Sequence, residues 1–215
     1  MKKILCLVLA VLLLLSLAAC SENEAGKETA GPTDAPATKS PTDAPATTEA
    51  PAPENIPAPK EIERLIADAV GLENYLAVVE VPKEELYSCA LAEADLDKLE
   101  SYVAKQALVS AVNIDTVVVA KCKEADYAEE LVKIFQMSYD RTMDYVRQYP
   151  FSVAKAENAR LYRVGDTVML ILAGAEADAE ASEEDAAKLA VSEYEKIDAA
   201  LEKLLGFLPE NLIRH

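Results

Sequence analysis

Side chains that commonly carry enzyme chemistry are few in this chain of 215 residues. The only histidine, His215, is the last residue, and no convincing Ser-His-Asp or Cys-His arrangement can be built from it. The sequence has no G-x-S-x-G or P-loop motif, and its six glycines leave little material for a phosphate-binding loop. The 38 Asp and Glu residues include many acid–base pairs, but no spacing selects one of them. We therefore predict no catalytic residues and lean towards a chain that is not an enzyme.

Metal and cofactor sites are equally hard to find. The four cysteines, Cys6, Cys20, Cys89 and Cys122, contain no C-x-x-C spacing, so a zinc site is not predicted. The acidic stretch 176–185 lacks the turn glycine of a calcium loop. We predict no metal and no cofactor. Cys89 and Cys122 are expected to be two buried free thiols, with a disulfide between them as the alternative.

The best candidates for a binding site are aromatic and basic side chains on or near one predicted helix. Most aromatic residues of this segment should pack the helix against a sheet, but Tyr145 is offset from the apolar stripe. Tyrosine and arginine are enriched at interfaces, and arginines are among the few cations available to meet an acidic ligand. The predicted interaction surface consists of Tyr145, Arg147, Tyr149, Arg160 and Arg163.

The helix that carries part of this surface follows from the spacing of its apolar residues. These residues recur every three or four positions, at Ala128, Val132, Phe135, Tyr139, Met143 and Val146. The spacing predicts an amphipathic helix of about twenty residues, with its N-cap at Asp126 and its end before Pro150.

Strands are predicted on both sides of this helix. Residues 99–111 mix β-branched and polar side chains and are predicted as a strand with a bend. The unbroken apolar run 114–122 is typical of a buried central strand. Segments 158–164 and 166–174 flank Gly165-Asp166, which we interpret as a two-residue hairpin turn.

Further helices complete the domain. A helix is predicted from Pro59 to Gly71, a short one over 83–91, and a last one from Ser182 to about Gly206. The order of elements predicts an α+β fold. Its mostly antiparallel sheet of about four strands has helices packed on one face, in a ββαββα-like order preceded by one or two short helices.

The first twenty residues indicate where the protein is located. Lys2 and Lys3 precede an apolar run over 4–15, which is shorter than the ~20 residues of a membrane span and fits an export signal. Leu17-Ala18-Ala19-Cys20 then resembles the lipobox of bacterial lipoproteins. The resemblance implies that the signal peptide, 1–19, is removed and that Cys20 carries a diacylglycerol and acyl chains such as palmitate. Two acyl chains on one residue would hold the protein stably on the extracellular face of the cell membrane.

A change of composition separates this anchor from the folded domain. Pro, Thr, Ala and Asp dominate the following segment, and PTDAPATKS at 32–40 is nearly repeated by PTDAPATTE at 41–49. Such a segment buries too little apolar surface to fold and is predicted to be a disordered tether, about 120 Å long when fully extended. We therefore divide the mature chain into the lipidated Cys20 with its tether, 20–58, and a single α+β domain, 59–215.

The charge of the chain restricts its partners. A net charge of −17 repels nucleic acid and anionic lipid headgroups. We therefore predict no nucleic-acid partner, membrane contact through the N-terminal lipid alone, and a possible protein partner in the cell envelope.

One stretch of the domain resembles a known group of proteins. The residues VNIDTVVVAKCKEADYAEELVKIF and YPFSVAKAENARLYRVGDTVMLILAG carry the resemblance. Within them, Tyr149-Pro150, Glu157-Asn158-Ala159 and Gly165 stand at the characteristic positions. This run is similar to a domain of unassigned function in lipoproteins of clostridia-like Gram-positive bacteria, and it covers a third to a half of the chain. The resemblance implies a Gram-positive envelope lipoprotein and carries over no catalytic residues.

Three functions are compatible with these features. The first is a non-catalytic interaction or sensing module displayed on a membrane tether. The second is a small ligand-binding lipoprotein associated with a transporter, although typical two-lobed solute receptors are considerably longer. The third is an enzyme of cell-wall metabolism with a site that the sequence does not mark. The absence of catalytic motifs favours the first.

The predicted anchor can be tested on the native protein. We expect mass spectrometry to find an N-terminus at Cys20 whose mass includes a diacylglycerol, because the lipobox directs both modification and cleavage. An unmodified Cys20 thiol, or an N-terminus that still begins with Met1, would contradict the prediction.

Overall fold

The computed structural model describes residues 55–110, 113–148 and 152–215. These residues belong to one compact unit. The predicted signal peptide, Cys20 and nearly all of the predicted tether lie outside the described residues, as does Tyr149.

The centre of the described part of the chain is a five-stranded sheet. Its strands are β1 (Val79–Glu80), β2 (Leu99–Gln106), β3 (Thr116–Cys122), β4 (Arg160–Val164) and β5 (Thr167–Leu172). They lie in the order β1-β2-β3-β5-β4, and every neighbouring pair is antiparallel. Gly165, with φ of 57°, and Asp166 form the tight turn between β4 and β5 as predicted. The predicted α+β class and antiparallel sheet are confirmed, and the strand that the sequence did not reveal is the short β1.

The helices of the described residues include the first, the long central and the last helix that were predicted, together with a short helix over Val153–Glu157 that was not, and the helix predicted over 83–91 is a 3₁₀ turn. In chain order, these helices are α1 (Pro59–Val70), α2 (Ala125–Val146), α3 (Val153–Glu157) and α4 (Glu183–Leu205), with two 3₁₀ turns over Lys83–Ser88 and Leu96–Lys98. In these described ranges, no helix combines the length and the apolar character needed to cross a membrane.

The sequence signals at the ends of α1 and α4 act as predicted. Pro59 is the first residue of α1, and Gly71 ends that helix with φ of 91°. The Ser182 side chain accepts a hydrogen bond from the Asp185 backbone N–H at 3.1 Å, which caps α4. Gly206 ends α4 in the left-handed conformation, with φ of 81°.

The start of α2 differs slightly from the prediction. Its N-cap residue is Glu124, which has an extended backbone, so Asp126 lies inside the first turn instead of capping it. Asp126 still favours the helix start because a carboxylate in the first turn interacts well with the positive end of the helix dipole.

Helices cover both faces of the sheet. On one face, Phe135 of α2 belongs to the same buried cluster as Leu170 of β5. On the other face, Ile66 of α1 and Ile197 of α4 share a second buried cluster with Ile171. Because Leu170 and Ile171 are adjacent in one strand, they point to opposite sides, and each side has its own helical layer.

The prediction that helices pack on one face only is therefore corrected. Every residue of β5 is buried, and so are all residues of β3 except Thr116 and Lys121. A strand in a sheet with one solvent face alternates apolar and polar residues, whereas these two strands are nearly continuous apolar runs. Because apolar and polar residues do not alternate in β3 and β5, both faces of these strands had to be covered by helices.

The two edges of the sheet are protected in different ways. β1 is only two residues long, so it leaves little backbone to pair with another chain. Beside β4, the Leu212 N–H donates a hydrogen bond of 2.8 Å to the Leu161 carbonyl, and the Asn211 amide bonds the backbone of Ala159 and Leu161. The C-terminal segment therefore covers the other edge.

The two cysteines of the domain are free and buried. The expectation for Cys89 and Cys122 is confirmed, and the alternative of a disulfide between them is contradicted. Burial raises the pKa of both thiols, which keeps them protonated at neutral pH.

Two adjacent substitutions test the double burial of β5. We expect Leu170→Ala and Ile171→Ala each to lower the free energy of unfolding by about 2–5 kcal/mol, because each removes a buried side chain from a different packed layer. Denaturant titration measures both values, and Val191→Ala, at a position 43% exposed, is the control that should cost less than about 0.5 kcal/mol. A small loss at one of the two positions would mean that this face of β5 is not packed.

Candidate functional site

A polar groove opens between three elements that are distant in the sequence. It encloses about 400 Å³, within the range of about 300–1,000 Å³ that small-molecule sites occupy. One wall follows the 3₁₀ turn after β1, one is the end of the β2–β3 hairpin, and one is the C-terminal half of α2. We call this feature the polar groove, and its lining residues are Tyr87, Ser88, Cys89, Glu93, Gln106, Ser110, Asn113, Ile114, Thr116, Ser138, Arg141, Thr142 and Tyr145.

Strand register and helix periodicity place the polar side chains. Gln106 and Thr116 are direct partners at the end of the β2–β3 ladder, so their side chains project to the same side of the sheet. That side is the face covered by α2, because Ala104 and Val118, two positions further along each strand, belong to the cluster that packs on α2. The wall from α2 consists of residues at positions i, i+3, i+4 and i+7, which form one stripe: Ser138, Arg141, Thr142 and Tyr145.

An ion pair crosses the groove. Arg141 donates two hydrogen bonds to the Glu93 carboxylate, at 2.7 and 3.1 Å. The hydrogen bond lowers the pKa of Glu93 and raises the pKa of Arg141, so both groups are charged at neutral pH and cancel each other. Among the residues that the structure describes, no other charged side chain lines the groove. It is therefore a neutral patch on a chain whose net charge is −17.

A buried ion pair lies directly behind the groove. The Lys155 Nζ is 2.6 Å from Asp115 Oδ1, and the two residues are 5% and 1% exposed. The same ammonium is 3.2 Å from Glu176 Oε1. Asn113, a groove residue, accepts a hydrogen bond from the Asp115 backbone N–H at 2.8 Å through its side-chain oxygen. The buried pair thus fixes the base of the connection that carries Asn113.

Burial dominates the titration of Asp115. Loss of solvent raises the pKa of its carboxyl to about 6, despite the opposing effect of the Lys155 charge. Its Oδ2 atom is buried without a hydrogen-bond partner among the described residues, which adds to the cost of the charged form.

Ser152 and Lys155 have the S-x-x-K spacing found in some serine acyl-transfer enzymes, a sequence signal that the predicted site did not include. Both residues are buried, and the Lys155 side chain pairs with two carboxylates, those of Asp115 and Glu176, instead of with the Ser152 hydroxyl. Neither residue lines the polar groove. In this structure, Lys155 of the S-x-x-K sequence forms a structural ion pair near the start of α3.

The four described residues of the predicted interaction surface are not brought together. Tyr145 lines the polar groove, and Arg147, two residues further along, pairs with Asp144 at 3.0 Å in an exposed position. Tyr149 lies outside the described residues. Tyr145 is partly buried at the margin of the core, which agrees with its offset from the apolar stripe of the helix.

The two remaining arginines point to opposite faces of β4. Arg160 forms a two-point contact with Asp198 of α4 and lies 4.9 Å above the Tyr194 ring. Arg163 bonds the Gly165 carbonyl at 3.0 Å and contacts Glu129 of α2. Both guanidinium groups join elements of the fold, and of the four predicted residues that the structure describes, Tyr145 alone lines the polar groove.

Most residues of the groove carry no signal in the sequence that would bring them together. Arg141 and Glu93 are separated by 48 positions, and Gln106 and Asn113 belong to a third segment. The wall formed by α2 had one periodic signal in the sequence, which is the polar stripe that runs beside the apolar stripe of this helix.

Neither the metal-binding side chains of the described residues nor known proteins identify a function for the domain. In residues 55–110, 113–148 and 152–215, no group of three or more His, Cys, Asp or Glu side chains is placed to hold a metal ion. No protein-family model, curated protein or solved structure matches the chain. The resemblance to clostridia-like lipoproteins stays a prediction.

Asp115 is expected to give the domain a measurable pH dependence. Its folded-state pKa of about 6 lies above the ordinary value of 3.8, so the folded protein holds a proton that the unfolded chain releases between these values. The stabilisation is complete below about pH 4 and is lost as the pH rises through about 6. We therefore expect the free energy of unfolding of the wild type, relative to Asp115→Asn, to fall between about pH 4 and 6 and to level off above.

Urea titration at several pH values measures this difference. The matched control is Asp144→Asn, the same chemical change at a side chain that is 77% exposed. A difference that stays constant, or rises with pH, would contradict the account of a carboxyl whose charged form is destabilised by burial.

Proposed function

We propose that this chain is a lipid-anchored protein of the bacterial cell envelope whose folded domain binds an envelope component at the polar groove without catalysing a reaction. The anchor is supported by the basic start, apolar run and lipobox-like Leu17-Ala18-Ala19-Cys20. The predicted tether would hold the groove away from the bilayer, within reach of the wall.

The convergence of polar side chains from three elements is the observation that supports binding. Strand pairing fixes the backbone positions of Gln106 and Thr116, and the Arg141 side chain is fixed by its two bonds to Glu93. A set of polar groups held in place by the scaffold in one groove loses little conformational entropy when a partner binds. The core beneath is filled by two buried clusters, so the groove is a surface feature of a rigid domain.

The protonation states in the groove favour binding over catalysis. A general acid or base works best when its pKa is close to the ambient pH. The pKa of Glu93 is lowered, that of Arg141 is raised, and burial raises that of the Cys89 thiol. Each group therefore stays in one protonation state near neutral pH. Asp115, whose pKa is about 6, is 1% exposed and held by Lys155 behind the groove.

Photo-crosslinking on intact cells tests the proposal. A photoreactive phenylalanine derivative replaces Tyr87, which lines the groove and is 79% exposed, so the fold should tolerate it. We expect irradiation to give one reproducible adduct with an envelope component. The control carries the same group at Leu72, which is 76% exposed and does not line the groove, and should give no such adduct.

Two results would contradict the proposal. One is the absence of any adduct at position 87 in cells that display the protein. The other is the same set of adducts from positions 87 and 72, which would mean that the groove is no more than an ordinary part of the surface.

A further inference from the structure

The charge of the polar groove restricts what it can bind. In the described part of the chain, the charged residues of its lining are Arg141 and Glu93, which neutralise each other through two hydrogen bonds. An anionic ligand would be repelled by the net charge of −17 and would find no unpaired cation in the groove. A cationic ligand would be attracted to the acidic surface elsewhere rather than to this neutral patch. The groove therefore suits a ligand without net charge.

The hydrogen-bonding groups of the groove indicate a ligand with many hydroxyls. Among the described residues, the Gln106 amide and the Ser138 hydroxyl have no hydrogen-bond partner within the domain, and each can both donate and accept. The Asn113 side-chain oxygen is bonded to the Asp115 N–H, which leaves its NH₂ group to donate. The Thr116 hydroxyl donates to the Ile114 carbonyl, which leaves its oxygen to accept. Hydroxyl groups of a ligand can satisfy this mixture because they also donate and accept.

An exposed aromatic ring lies at the margin of the same groove. Tyr87 is 79% exposed, so its ring is accessible to a ligand. Its ring offers a flat apolar face and its hydroxyl a polar tip. The C–H face of a sugar ring is also flat and apolar, with hydroxyls around its rim, so the two surfaces are complementary.

Peptide ligands fit the groove less well. Extended peptides pair with a free sheet edge, and helical peptides need an apolar groove. β1 offers an edge of only two residues, and the aliphatic and thiol side chains of the lining, Ile114 and Cys89, are buried.

We infer that the polar groove binds a neutral saccharide, with one sugar ring packed on Tyr87 and its hydroxyls bonded to Gln106 and Asn113. The inference rests on the proposed function, since it names the chemical class of the partner at that same groove. Neutral glycans are the class of envelope polymer that this lining would recognise.

Titration of the full-length protein in lipid nanodiscs tests the inference. The probes are two neutral trisaccharides, tri-N-acetylchitotriose and maltotriose, with the cationic glucosamine trimer and the anionic galacturonate trimer as charge controls. We expect at least one neutral trisaccharide to bind, and to shift the NMR signals of the Gln106 and Asn113 side-chain amides, whereas the charged trimers do not.

Tyr87→Ala should weaken binding about tenfold or more. Tyr87→Phe, which keeps the ring face, should stay within about threefold, as should the exposed control Leu72→Ala.

Four outcomes would overturn the inference. The first is that neither neutral trisaccharide binds at about 10 mM, a concentration at which a millimolar site would be largely filled. The second is that Tyr87→Ala leaves the binding unchanged. The third and fourth are that a charged trimer binds equally well and that a neutral capped tripeptide binds more strongly. A protein adduct at position 87 on cells together with no saccharide binding would overturn this inference alone. The absence of both adduct and saccharide binding would overturn the proposed function as well.

Discussion

The burial of β3 and β5 on both of their faces is the constraint on which the rest of the structure depends. Every residue of β5 is buried, and Leu170 and Ile171 contribute to two separate cores. An apolar strand pair of this kind is stable only when each face is shielded from water. α2 supplies the cover on one side, and α1 with α4 supplies it on the other. The C-terminal half of α2 then lies beside the end of the β2–β3 hairpin, and the polar groove forms between them.

Polar interactions in this domain act at two depths. Behind the groove, the ion pair of Asp115 and Lys155 joins the residue that precedes β3 to α3, and both partners are almost fully buried. Breaking such a pair by removal of one partner leaves a buried charge and typically costs about 3–5 kcal/mol, although the intact pair adds little net stability. Its contribution is to fix a local geometry that includes Asn113. At the surface of the groove, Gln106 and Ser138 have hydrogen-bonding capacity that the fold itself does not use among the described residues.

The sequence predicted the elements well because each has a local signal. Apolar spacing identified α2, Pro59 and Gly71 bounded α1, and Gly165-Asp166 marked the hairpin. The arrangement of layers was harder to predict, since a short apolar run does not by itself say what covers each face. The site was hardest, because its contacts join segments far apart in the chain. Arg160 and Arg163 were chosen as free cations, but their partners, Asp198 and Glu129, are 38 and 34 positions away and belong to other elements.

Native-state amide hydrogen exchange tests the central constraint most directly. If β3 and β5 are the structural centre, their amides should exchange only through global unfolding, with the same free energy that denaturant titration gives. Amides of the 3₁₀ turn Lys83–Ser88, which lies beside the groove, should exchange through cheaper local openings. Exchange of the β3 and β5 amides as readily as those of the turn would contradict the account, because a strand pair packed on both faces cannot open without loss of both cores.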